Sequence, residues 1–68
     1  MVAQRPTGMQ LARVRRAAGL TQQTVADRLG VTGQRVAAIE ASAFATQRAA
    51  SRYLAAISAL VRDRGAKR

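Results

Sequence analysis

Sixty-eight residues carrying twelve bases against three acids give a net charge of +9, with no cysteine and no histidine. The missing cysteine excludes a disulfide and a thiolate metal site, and a chain this short buries only about 60% of its unfolded surface, so pairing with a second copy is the expected supplement to its core. The charge favours a polyanionic partner; no apolar run approaches the roughly 20 residues needed to cross a bilayer, and the first ten residues lack the apolar stretch of a signal peptide, so a cytoplasmic location is expected. Eleven of the twelve bases are arginine and alanine is abundant, a bias that points to a GC-rich bacterial genome.

Taken in order, residues 1–6 are expected to form a flexible arm, with Arg5 within reach of a phosphate. Thr7-Gly8-Met9-Gln10 fits a capping box, Thr7 as N-cap and Gln10 reaching back. A first helix then runs to about Ala18 and stops at Gly19, with Leu11, Val14 and Ala18 facing inward, Arg13 and Arg16 on the solvent side, and Arg15 near the edge of the buried face. The stretch Thr21 to Glu40, TQQTVADRLGVTGQRVAAIE, reads as two short helices, about 22–29 and 33–41, joined by a tight turn. Val25, Ala26 and Leu29 share one face, Val36 and Ile39 repeat the pattern, and Gly30 supplies the left-handed residue that ends a helix. Thr21 and Thr32 stand where a hydroxyl accepts from the free N–H groups of a first turn. This describes a helix-turn-helix, whose second helix enters the DNA major groove. Residues 42–46 form a loop in which Phe44 is read as a plug beneath the core. A fourth helix, about 47–63 with Gly65 beyond its end, carries the stripe Ala50, Tyr53, Leu54, Ile57, Leu60 and Val61. That stripe extends past what three short helices need, which makes Tyr53, Leu60 and Val61 candidates for a dimer contact. Residues 65–68 read as a basic tail of solvated charge.

Leu20-Thr21-Gln22, Val25-Ala26, Leu29-Gly30-Val31, Val36 and Ile39-Glu40, in joint register, resemble the helix-turn-helix of the Cro/CI-type, XRE-like phage repressor family over about residues 9–60. The resemblance implies an all-α, lambda-repressor-like fold: a compact bundle of four helices with room for a short fifth turn, in one DNA-binding domain over 1–68. It also implies that Arg15 pairs with Glu40 as a structural ion pair and that Gln22 donates to a phosphate. Gly33 and Ala38 depart from the family, standing where polar readers are common.

The DNA-binding candidates are Gln22, Gln23, Thr32, Gly33, Gln34, Arg35, Ala38 and Arg48. Gln22 and Gln23 lie at a helix N-terminus, where N–H groups and the dipole favour an anion; the plainer alternative for both is a solvated first turn. Gln34 can pair with adenine N6 and N7, Arg35 can reach guanine O6 and N7 or a phosphate, and Ala37 or Ala38 can meet a thymine methyl. Arg48 is placed for the DNA backbone or, equally, as a solvated charge. Direct readout is sparse, so DNA shape is expected to carry part of the specificity.

The leading functional reading is a sequence-specific, double-stranded-DNA-binding transcriptional regulator, a Cro-like repressor that binds an inverted repeat as a homodimer. An antitoxin of a toxin–antitoxin pair and a phage excisionase or other architectural protein are the alternatives. No enzyme is expected, because histidine and cysteine are absent and the three acids, Asp27, Glu40 and Asp63, form no acid–base pair. No metal, cofactor, small-molecule ligand or membrane partner is expected either.

Overall fold

The computed structural model describes residues 6–66, so the readings made for the rest of the arm and for the end of the basic tail lie outside the described residues. Four helices and no strand occur among them: α1 (Gly8–Ala17), α2 (Gln22–Leu29), α3 (Gly33–Ala41) and α4 (Gln47–Ala66). Each helix is preceded by a threonine whose side chain accepts from the first turn. Thr7 Oγ1 accepts from Gln10 N at 3.0 Å while Gln10 Oε1 takes the Thr7 N–H at 2.9 Å, completing the capping box. Thr21, Thr32 and Thr46 each accept from the residue three places on, Thr24, Arg35 and Ala49, at 3.1 Å.

Helices α1 and α2 end in the same way. Gly19 and Gly30 both have φ of +72°. The N–H after each glycine reaches back to a last-turn carbonyl, Leu20 to Arg15 at 3.1 Å and Val31 to Ala26 at 3.0 Å. These two reversals turn α1 into α2 and α2 into α3, and they set the angle at which α3 stands on the surface.

The core is Leu11, Leu20, Val25, Ala26, Val36, Ala45, Ala50, Tyr53, Ala56 and Ile57, with Ala18, Leu29, Ile39 and Leu60 partly buried against it. Four of the ten core residues are alanines, which lets the helices approach closely around the larger Tyr53, Leu11, Val25 and Val36. Gly8 is the extreme case: its N–H donates to the Ser42 carbonyl at 3.1 Å, and a Cβ there would run into the backbone carbonyls of Ile39 and Glu40. The N-terminus of α1 thus rests directly on the C-terminus of α3.

Several expectations are corrected. Val14 is 43% exposed; the inward face of α1 is Leu11, Ala12 and Arg15. The helix is rotated about one position because the Arg15 guanidinium, with partners waiting inside, takes the place foreseen for Val14. Phe44 does not plug the core but is 63% exposed, and Ala45 closes the core in its stead, its N–H bonded to the Pro6 carbonyl at 3.0 Å. The loop is short enough that only one of these neighbours can face in, and the alanine fits the narrow gap. Helix α4 runs through Gly65 to Ala66 rather than stopping at 63; that glycine does not adopt a positive φ, so it forms no stop. Along α4 the buried positions are Ala50, Tyr53, Ala56, Ile57 and Ala59, leaving Leu54 and Val61 exposed. Tyr53 is fully buried and therefore is not part of a surface open to a second copy. No helix among the described residues is long and apolar enough to cross a membrane.

Candidate nucleic-acid interface

Helix α3 projects from the bundle with Val36 buried and Ile39 partly so, and this fixes its outer face. Thr32, Gln34, Arg35 and Ala38 are exposed on it, while Gly33 is half-buried at its first turn. Its only acid, Glu40, is turned away from that face and into the protein.

Glu40 is the meeting point of all four helices. Arg15 of α1 donates to it twice, Nε to Oε2 at 2.7 Å and Nη2 to Oε1 at 3.1 Å. Gln22 Nε2 of α2 donates to Oε1 at 2.9 Å, and the Tyr53 hydroxyl of α4 donates to Oε2 at 2.5 Å. The third guanidinium nitrogen of Arg15, Nη1, donates to the Leu20 carbonyl at 2.8 Å, so the same side chain ties down the α1–α2 turn. Burial alone would push the Glu40 carboxyl up, but the hydrogen bonds from Arg15, Gln22 and Tyr53 outweigh it and hold it below the usual carboxylate range. Its hydrogen bond to Glu40 raises Arg15 further against the opposing effect of burial, and burial first, then donation to Glu40, keeps the Tyr53 phenol protonated well beyond its ordinary range. The charge that would repel phosphate at the end of α3 is thereby neutralised and enclosed.

Gln22 is half-buried and one amide hydrogen is committed to Glu40, so what remains for a phosphate is its second N–H and the N-terminal field of α2. Gln23 is exposed, and its Nε2 donates to Asp27 Oδ1 one turn on at 2.8 Å. Its amide lies over the first turn of α3, with Oε1 2.8 Å from where a Cβ of Gly33 would stand. On the other side of α3, a shallow groove lined by Arg35, Ala38, Ile39, Phe44 and Ala49 joins the outer face of α3 to the first turn of α4. Arg48, adjacent to Ala49, is exposed on that turn. The DNA-binding candidates from Gln22 to Arg48 thus fall on the N-terminus of α2, the outer face and first turn of α3, and the start of α4, while Glu40 lies inside. Tyr53 is likewise interior.

The completion of the shell around Glu40 by Tyr53 and Gln22 is not encoded in any local spacing. One signal was present: Tyr53 is the only hydroxyl in the apolar stripe of α4, and a buried phenol needs an acceptor. The Gln23–Asp27 pair was equally legible as two residues four apart on one helix face.

No cluster of histidine, cysteine, aspartate or glutamate able to hold a metal occurs among the described residues. No curated protein and no solved structure gives a significant match to the chain. The helix-turn-helix family does match, over residues 11–60, which runs from the first core leucine of α1 through all of α2 and α3 into α4 and includes Arg15, Gln22, Glu40 and Tyr53. A buried acid closing α3, glycine-ended α1 and α2, and a recognition helix with a free polar face are what that match spans, and the chain belongs to the Cro/CI-type, XRE-like helix-turn-helix family of DNA-binding transcription regulators.

Proposed function

We propose that the protein is a small repressor of the phage Cro-like kind, a single DNA-binding domain over residues 1–68 that occupies an inverted-repeat operator as a homodimer. The observation that carries this reading is the outer face of α3: Gln34, Arg35 and Ala38 stand exposed, flanked by Thr32 and Gly33, while Glu40 is withdrawn and neutralised. Gln34 offers an amide matched to adenine N6 and N7, Arg35 a guanidinium matched to guanine O6 and N7, and Ala38 a methyl for thymine. Gln22 and Arg48 flank this face and contact phosphates, fixing register without carrying sequence information. Val61 and the outer edge of Leu60 supply the contact to the second copy. The site of action is the bacterial cytoplasm, and the arginine-rich composition favours a GC-rich host.

Selection of bound duplexes from a random pool, at about 0.15 M salt so that long-range attraction is screened, tests the reading. An enriched inverted repeat with half-sites about one helical turn apart supports a dimeric operator-binding regulator. Tight binding at low salt without enrichment overturns it in favour of an architectural protein or an antitoxin acting with a partner. On the selected operator, Gln34→Ala and Arg35→Ala should each weaken the specific site by about 1–3 kcal/mol and leave random DNA nearly unaffected.

A further inference from the structure

Gly33 leaves the first outward position of α3 without a side chain, yet that position is not empty. The carboxamide of Gln23, from α2, lies across it with Oε1 2.8 Å from the point a Cβ would occupy. We propose that Gln23 reads a base in the major groove from the place Gly33 vacates, with Asp27 setting which atom of its amide faces the DNA. This rests on the operator-binding reading above and assigns one more specificity-determining residue to it.

The chemistry follows from the two ends of the amide. Asp27 is an acceptor, so it must face Nε2, and the bond between them is 2.8 Å. The oxygen is then the end that lies over Gly33. A carboxylate oxygen beside the amide repels phosphate, which makes Gln23 a poor anchor for the DNA backbone. An amide oxygen presented on the surface of a recognition helix is matched instead to a donor on a base edge. In the major groove only cytosine N4–H and adenine N6–H supply one, whereas guanine and thymine present acceptors at the corresponding places. Gln23 is therefore expected to select cytosine or adenine at one position of each half-site, beside the base read by Gln34. The glycine is required because any side chain at 33 displaces the amide. The neighbour it would displace is the end of a flexible side chain and not backbone, so the substitution is tolerated by the fold while being felt in recognition.

The test is binding-site selection with the full-length protein and three variants, each first checked for an unchanged circular-dichroism spectrum. Gln23→Ala should reduce the preference for cytosine or adenine at one position per half-site roughly five- to tenfold and leave the others intact. Gly33→Ala keeps the glutamine but takes its seat, and should lose the same preference at the same position with no loss of thermal stability. Asp27→Lys holds the amide by its oxygen and turns Nε2 outward, so that position should pass to guanine or thymine. An unchanged pattern in Gln23→Ala, or an equal loss on operator and random DNA, overturns the inference while leaving the operator reading standing. Retention of cytosine or adenine in Asp27→Lys removes Asp27 from it. If the unaltered protein enriches no sequence, the operator reading falls and this inference falls with it.

Discussion

Two carboxylate oxygens of Glu40 receive four hydrogen bonds from three side chains, and both members of its ion pair are less than a tenth exposed. A buried pair gains stability only when its remaining hydrogen-bonding capacity is satisfied, and among the described residues no buried side-chain nitrogen or oxygen lacks a partner. The arrangement has a definite pH dependence. The folded carboxyl is depressed below its unfolded value, so its contribution is fully present above the unfolded pKa of about 4.3 and is lost as pH falls through the folded value. Urea midpoints should therefore hold steady through neutral pH and decline below about pH 4.3. In Glu40→Gln the protein should be less stable at neutral pH and the acid decline should flatten; an undiminished decline would assign it elsewhere. Arg15 and Glu40 were legible because the family pattern pairs them, whereas the contributions of Gln22 and Tyr53 were not. Which polar side chains converge on a buried charge depends on how four helices cross, and no local spacing encodes that.

The elements divide along the same line. The starts of α1, α2 and α3 and the ends of α1 and α2 were readable because a threonine cap and a left-handed glycine are local devices that act on residues three to five places away. The rotation of α1 was not, since it is decided by what the helix packs against: Arg15 outcompetes Val14 for the interior. The reach of α4 was not either, because the exposed Gly65 keeps helical backbone instead of the positive φ that would end the helix there. The contact of α1 with α3 can be tested at Gly8. A methyl group there meets main-chain carbonyls of α3, which cannot move without shifting that helix. Gly8→Ala should destabilise the fold by about 1–3 kcal/mol, the usual cost of overpacking, read from the shift in urea midpoint at constant slope. This outweighs the gain of up to about 1 kcal/mol that the same exchange brings in an unobstructed helix, so a stabilised variant would mean that the two helix ends are not in contact.

For the whole molecule, charge and size set the behaviour. With a net charge of +9 much of the affinity for any duplex is counterion release, and each lost phosphate contact lowers the slope of log K against log salt by about 0.9. Arg48→Ala should show one such step by fluorescence anisotropy without altering the selected operator; an unchanged slope would make Arg48 a solvated charge. Size raises the question of the second copy. A core this small is expected to supply only about 3–5 kcal/mol, and the burial pattern narrows where a partner would attach. Tyr53 is interior and Leu60 packs partly against the core, so Leu60→Glu would damage the monomer and the interface alike. Val61 is 44% exposed, and Leu54, two turns earlier on the same face of α4, is also exposed. A charge at 61 would therefore disturb a dimer contact there without entering the core. Val61→Glu should give monomer mass by light scattering and abolish the concentration dependence of the melting temperature that a dimer imposes, while its helical circular-dichroism signal stays unchanged. A dimer mass that survives the substitution would move the interface off α4, leaving the exposed Met9 and Val14 of α1 as the next apolar surface to probe.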